Sequence, residues 1–422
     1  MNPTSGYRQI ESKIDGITVW EPVPEEKRRE EPVTYNCPNC GAVTRYNISA
    51  GGIACEHCGY QAPTRSKTVG QGAEVYEFTL ETLEKSNQGW GVARQEIHCD
   101  NCGGTINVPS GALSVSCPFC ASNRVNASPA LLDQLRPRFL IPFKIHPQQA
   151  KAAAKEWLGK GWYHPSELAN RAAFDKFTGI YLPYWTFSAE IPSDWRAEVG
   201  YEHTERYYDH SSKEWKTRTV IRWRWENGHI SIAVEDLLVP GSKHVSQRIL
   251  SQLNPFHLKD LVEYAPDYLA GWQAQSYDLK LEDAWEIGKA EMREQARKAC
   301  YEDIPTSHVR NFSMTADFCE ETWRYILLPV YLHTYIFTQK NYQVMINGQT
   351  GTIAGQKPVD WNKIWLAIAA MFAPGILTAL AGLLLLAFGI GAIALVIAFI
   401  LIVIAGVLSV ILYQQARASE AP

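Results

Sequence analysis

The chain has 422 residues, 46% hydrophobic and 20% charged, with a formal net charge of -4. That length gives room for two or three domains. The acidic balance gives no electrostatic reason to expect nucleic acid, whose phosphates call for clustered basic residues.

Residues 1–30, which include the charged run EPVPEEKRRE, have no apolar signal-peptide core and are expected to be a flexible, solvated N-terminal segment. Next come eight of the ten cysteines, in two copies of Cys-x2-Cys-x14-Cys-x2-Cys. The first copy is Cys37, Cys40, Cys55 and Cys58; the second is Cys99, Cys102, Cys117 and Cys120. Four thiolates in two CxxC knuckles make a closed tetrahedral shell, so the spacing predicts two structural Zn2+ ions with no open position for a catalytic water. A ribbon of this size buries too little apolar surface to fold alone, and metal binding of about 10 kcal/mol makes up the deficit. Glycine follows the second cysteine at Gly41, Gly59 and Gly103, where a tight turn favours it, and Ala121 departs from that pattern. A redox CxxC is normally single and beside a βαβ pattern, and four disulfides require an oxidising compartment, so both readings are weaker than zinc. His57 and His98 adjoin ligands but are expected to be solvent-exposed bystanders, while Cys300 and Cys319 are expected to be small buried apolar residues.

The tandem ribbons and the segment between them span 31–128. In EVYEFTLETLEKSNQGWGVARQEI, the alternation at Val75, Tyr76, Glu77 and Phe78 predicts a strand that pairs across the two copies to make one β-rich module. An α+β domain is expected over 129–358. Pro147 opens a helix through QQAKAAAKEWLGK, and Pro165 precedes a second helical stretch, SELANRAAFDKF. Aromatic strands follow from GIYLPYWTFSAEI at 179–191. In TVIRWRWENGHISIAVED, Asn227-Gly228 predicts a two-residue hairpin turn, with Ile221, Trp223 and Trp225 on a core face and Arg222 and Arg224 on a solvated one. LEDAWEIGKAEMREQARKACYED carries Leu281, Ala284, Trp285, Gly288 and Met292 at helical spacing, which reads as a core stripe. YILLPVYLHTYIFTQKNYQVMINGQTGTIAG predicts a three-stranded meander, and its LLPVYLHTY echoes YLPYWTFSA, so an internal duplication is expected.

No charged residue occurs between Lys363 and Arg417. A span needs about 20 apolar residues, so the apolar run from Ile364 to Leu412 predicts two transmembrane helices over 361–413, turning near Phe388, Gly389, Ile390 and Gly391. Lys357 and Lys363 before the hairpin and Arg417 after it predict cytoplasmic N- and C-termini in a two-span protein of the inner, or cytoplasmic, membrane, with 414–422 as a short cytoplasmic tail. Such a topology keeps the thiolates in a reducing compartment. Pro374-Gly375 predicts a kink, and Gly375 with Ala379 a close helix approach.

The chain resembles the bacterial TFIIB-type zinc-ribbon-containing membrane proteins, sometimes labelled primosomal protein N-prime or helicase by ribbon similarity. The residues carrying the resemblance are CPNCG and CPFCA, EFTLETL, Trp90-Gly91, IPFKI, GIYLPYWTF, YLAGW, LLPVYLHTY and YQVMINGQTGTIAG. It implies a cytoplasmic zinc-ribbon region on a membrane anchor and protein partners such as phage-shock protein A or flotillin-like proteins of membrane-stress systems. The helicase label does not carry over, because the chain has no GxxxxGK[ST] sequence. HExxH and GxSxG are also missing, so no catalytic residue or further cofactor is expected. The fold expected is α+β: two tandem four-cysteine zinc ribbons, an aromatic-rich region with a duplicated unit, and a C-terminal transmembrane helical hairpin. The function expected is a non-catalytic membrane-anchored scaffold or adaptor for protein–protein interaction, with self-association through the hairpin. The alternative is a nucleic-acid-associated ribbon protein tethered to the membrane.

Overall fold

The computed structural model describes residues 7–10, 19–22, 36–64, 67–73, 75–77, 94–109, 117–120, 122, 125–129, 135–171, 177–243, 245–386 and 391–420. It is a mixed α+β structure with two four-cysteine clusters and two C-terminal apolar helices.

The core is built on two long strands, β1 (Thr178–Asp209), which is followed by its hairpin partner β2 (Glu214–Pro240), and, after β3 (Val309–Ala316), β4 (Cys319–Phe337). β1 and β4 pair antiparallel, and the two echoing segments lie side by side, with Tyr181 opposite Pro329, Leu182 opposite Leu328 and Pro183 opposite Leu327. Side chains alternate along a strand, so this pair feeds two cores. Tyr181, Trp185, Phe187, Leu327 and Tyr331 enter one; Ile180, Leu182, Tyr184, Ile326, Leu328 and Val330 enter the other. A sheet covered on both faces explains why these strands read as near-continuous apolar runs. The prolines lack N–H donors, but their carbonyls are used: Pro183 accepts from the Gly241 amide at 2.8 Å and Pro329 from the Gly348 amide at 2.8 Å.

Two helices cover the first face. α1 (Pro147–Gly159) starts with proline at its first position and buries Ala150, Ala154 and Leu158. α2 (Leu281–Asp303) buries the stripe Leu281, Ala284, Trp285, Gly288 and Met292. Gly288 suits the close packing there, since a Cβ would sit 3.0 Å from the Phe187 ring. The helix after Pro165 is a single turn, Leu168–Arg171; residues 172–176 of that prediction lie outside the described residues. The meander closes the sheet as β4, β5 (Lys340–Asn347) and β6 (Ile353–Gly355), all antiparallel.

Several expectations need correction. Asn227-Gly228 is not a turn: β2 runs straight through it, with Trp195 opposite Gly228 and Arg196 opposite Asn227. The reversal lies between Asp209 and Glu214. Gly228 serves a close approach instead, because a Cβ there would meet the Trp195 indole at 2.6 Å. Past Val199, where pairing with β3 ends, β1 and β2 form a two-stranded arm; Arg222 and Arg224 are exposed, but so are Ile221, on the arm, and Trp225, which pairs with Glu198 at the arm's base on the face opposite the buried Ala197 and Val199. Tyr76–Glu77 does not bridge the ribbons; it pairs with Thr322 and Trp323 of β4. The N-terminal segment contains a two-stranded antiparallel sheet, Tyr7–Ile10 with Val19–Pro22, whose YRQI and VWEP carry β-favouring residues that its overall charge obscured. Cys300 is buried with Trp195, Val199 and Ile304, as expected, but Cys319 is exposed at the start of β4.

The hairpin helices are α3 (Trp361–Leu385) and α4 (Gly391–Glu420), each long and apolar enough to cross a membrane. Their mutual seam uses small residues seven apart: Gly375 and Gly382 on α3, Gly391, Ala398 and Ala405 on α4. A Cβ on Gly375 would meet Ile402 at 2.7 Å, so this glycine sets how closely the helices pack. Ala379, expected to share that role, is only half-buried. α3 is continuous through Pro374, whose carbonyl accepts from Thr378 Oγ1 at 2.7 Å. Of the predicted turn, Phe388, Gly389 and Ile390 lie outside the described residues, and Gly391 opens α4.

Both outer ends of the hairpin are fastened to the body. The Lys357 amide donates to the Ser419 carbonyl at 2.9 Å, and the Val359 amide to Glu420 Oε1 at 2.8 Å. Lys357 Nζ lies 3.9 Å from the centre of the Trp157 ring and donates to the Trp157 carbonyl at 2.6 Å. Burial lowers that ammonium to about 8, with the nearby Lys160 charge adding to the effect.

Candidate metal centres

The first ribbon is a three-stranded antiparallel sheet, Arg45–Asn47, Gly52–Ala54 and Gln61–Pro63. Its knuckles bring Cys37, Cys40, Cys55 and Cys58 together with all four sulfurs within 4.8 Å of one another. The Sγ separations are 3.4 Å for Cys37 and Cys58 and 3.6 Å for Cys40 and Cys55. The second ribbon is also three-stranded and antiparallel, with Arg94–Cys99 central between Thr105–Pro109 and Val125–Pro129, and its sulfurs lie at 3.6 Å for Cys99 and Cys120 and 3.5 Å for Cys102 and Cys117. Sulfurs about 2.3 Å from a tetrahedral centre lie about 3.8 Å apart, so both sets fit a four-coordinate metal ion.

Each knuckle is a local turn fixed by backbone bonds. The Gly41, Gly59 and Gly103 amides donate to the carbonyls of Cys37, Cys55 and Cys99 at 2.8, 3.0 and 2.8 Å. All three glycines have positive φ, 74°, 75° and 73°, which explains the residue type that follows the second cysteine. Ala121 lies outside the described residues. His57 and His98 are exposed.

Amides also point at the sulfurs. The Cys58 amide, reinforced by that of His57, holds the Cys55 thiol down to about 6. At Cys120 burial acts upward, but the Asn101 side chain and the Ser122 amide prevail and lower it to about 7. Burial raises Cys117 and takes Cys102 up to about 11. Four crowded thiols therefore conflict over ionisation, and a divalent cation resolves the conflict by stabilising every thiolate at once.

The surroundings of the two centres differ. The first ribbon keeps its own sheet but seats on the body: the Tyr46 amide donates to the Ala270 carbonyl at 3.0 Å, the Tyr46 and Tyr268 rings sit 5.0 Å apart, Thr64 Oγ1 donates to Tyr268 Oη at 3.2 Å, Ser49 Oγ lies 3.0 Å from His146 Nε2, and Tyr46 and Ile48 pack into the first core. Cys40 and Cys58 are exposed. The second ribbon is part of the large sheet, joined where Asn107 pairs with Ala274 and where Asn107 Nδ2 donates to Ser276 Oγ. Cys99 and Cys117 are buried with Ile97, Ile106 and Phe119 in the second core. Its last knuckle is held from a distance: Thr334 Oγ1 donates to the Pro118 and Phe119 carbonyls at 3.1 and 3.0 Å, and Gln343 Nε2 to the Phe119 carbonyl at 2.7 Å. Thr334 and Gln343 lie far along the chain from these knuckles, and no local pattern marks them as supports.

No family model matches the chain, and no solved structure matches it. It is similar to the uncharacterized protein YdjG of Bacillus subtilis (strain 168), with 24% identity over 335 residues, 79% of this chain and 92% of that protein. The similarity therefore extends well beyond one ribbon.

Proposed function

We propose that the protein is a non-catalytic, membrane-anchored scaffold or adaptor that carries two structural zinc ions. In this reading α3 and α4 span the cytoplasmic membrane, both termini are cytoplasmic, and the body presents a rigid partner surface at the bilayer. The observation that carries it is the fastening of both hairpin ends to one body, at Lys357 with Ser419 and at Val359 with Glu420, which suits an even number of crossings and a fixed presentation. Zinc is the fitting ion because four thiolates in a closed shell suit it and leave no site for a reacting water.

The arm supports a protein partner over nucleic acid. Trp215 is 65% exposed and Trp225 50% exposed, as suits interface anchors. Three of the neighbouring cations are already engaged: Arg222 with Glu205 at 3.1 Å, Arg224 with Glu226 at 2.6 Å and Lys216 with Asp209 at 2.5 Å. The resemblance to ribbon proteins of membrane-stress systems suggests partners of the phage-shock or flotillin-like kind.

In-cell crosslinking of the full chain, detergent extraction, capture and mass spectrometry test this reading. Enrichment of membrane-organising or envelope-stress proteins is expected. Enrichment of polymerase, ribosomal or replication proteins together with nucleic acid overturns it in favour of a tethered nucleic-acid-associated protein.

A further inference from the structure

A groove of about 680 Å3 opens between α3 and α4 next to the body, with Trp365 and Ile368 on its α3 side. On α4 its lining forms two adjacent i, i+4 rows, Ser409–Tyr413–Arg417 and Val410–Gln414–Ala418. Polarity is graded along the axis. Arg417 and Gln414 lie toward the body end, near the bond between Lys357 and Ser419, and Ile368 and Val410 lie deeper. Trp365 and Tyr413 flank the middle, the residue types that favour the level of lipid headgroups.

Two further observations mark the groove as more than a seam between helices. Ser409 is 8% exposed and its hydroxyl has no hydrogen-bond partner among the described residues, a costly arrangement in apolar surroundings unless a ligand supplies one. Among the described residues, Arg417 makes no ion pair, and it is the groove's one charged lining residue. Ser409 lies about 12 Å deeper than Arg417, eight residues at the helical rise. That separation suits a glycerophospholipid, with phosphate at the surface and ester oxygens and acyl chain below.

We propose that this groove binds one anionic glycerophospholipid, with its phosphate on Arg417 and Gln414, an ester oxygen accepting from Ser409, and an acyl chain along Ile368 and Val410. The site rests on the reading of α3 and α4 as membrane spans, so the experiment separates the two claims. The full-length protein is extracted in mild detergent, mixed with equimolar phosphatidylglycerol and phosphatidylcholine, and examined by native mass spectrometry. Preferential retention of one phosphatidylglycerol is expected. Arg417→Ala is expected to reduce the preference roughly tenfold, the effect of one charge-assisted hydrogen bond, and Arg417→Lys to keep most of it. Ser409→Leu, which fills the groove, is expected to displace the lipid while helicity is unchanged. Equal retention of both lipids by the unaltered protein, or an unchanged preference in Arg417→Ala, overturns the site. Release of the protein from membranes by alkaline carbonate overturns the spanning helices instead.

Discussion

The two ribbons share one cysteine spacing, a three-stranded antiparallel plan and nearly the same sulfur geometry, yet they stand in different relations to the rest of the protein. The first is a separate three-stranded sheet that rests on Tyr268 and Ala270 and sends Tyr46 into the first core. The second continues the main sheet and contributes Ile97, Ile106 and Phe119 to a core shared with β1 and β4. Local sequence thus sets the sulfur geometry, whereas the strand edge each ribbon meets decides whether an ion held there would stabilise a module or the whole body. Equal motifs need not carry equal energetic weight.

The strongest way to break that comparison is to remove ligands from each ribbon in turn. Cys99→Ser with Cys117→Ser is expected to lose one of two ions and to unfold the body with it, because metal binding of about 10 kcal/mol is coupled there to a shared core. Cys37→Ser with Cys40→Ser is expected to lose one ion while the body melts as a folded unit. Metal analysis and thermal unfolding followed by tryptophan fluorescence measure both, and equal destabilisation by the two pairs refutes the distinction.

A chelator sharpens it kinetically. With Cys40 and Cys58 exposed and Cys102 and Cys120 only half-buried, release is expected in two phases, the faster from the first ribbon. A chromogenic zinc indicator under excess chelator reads the phases, and their assignment follows from the cysteine variants. A single phase contradicts the difference in burial.

Smaller changes test the supports. Gly104→Ala places a Cβ 2.6 Å from the Phe119 ring, and such overpacking is expected to cost about 1–3 kcal/mol in urea unfolding. Tyr268→Phe removes the acceptor of the Thr64 bond and is expected to loosen only the first ribbon, by about 0.5–1.5 kcal/mol, seen as faster amide exchange in 36–64 with the body unchanged.

Much was legible in the chain because it depends on residues close in sequence. The eight ligand positions, the positive-φ glycines, α1 opening at Pro147, the buried stripe of α2 and the two long apolar helices all follow from spacings that a single turn or helix face enforces. The misreadings share a cause. Asn227-Gly228 has the right chemistry for a turn, but Trp195 opposite it needs the space that glycine leaves, and that need appears only once the strands are paired. Trp225 looked like core because its alternation was sound, yet it pairs with Glu198 and so takes the face opposite the one on which Ala197 and Val199 are buried.

What the sequence by itself determined is the local chemistry: where metal can bind, which segments are helices, and which stretch is apolar enough to enter a membrane. Only the tertiary structure decided which ribbon is structural to the body, that the echoing segments are neighbours in one sheet, and that Lys357 and Glu420 close the base of the hairpin. The physical reason is range. Metal knuckles and helices are closed by bonds a few residues apart, but strand partners, covered faces and buried carbonyl acceptors such as those of Pro118 and Phe119 are chosen by residues far away in the chain.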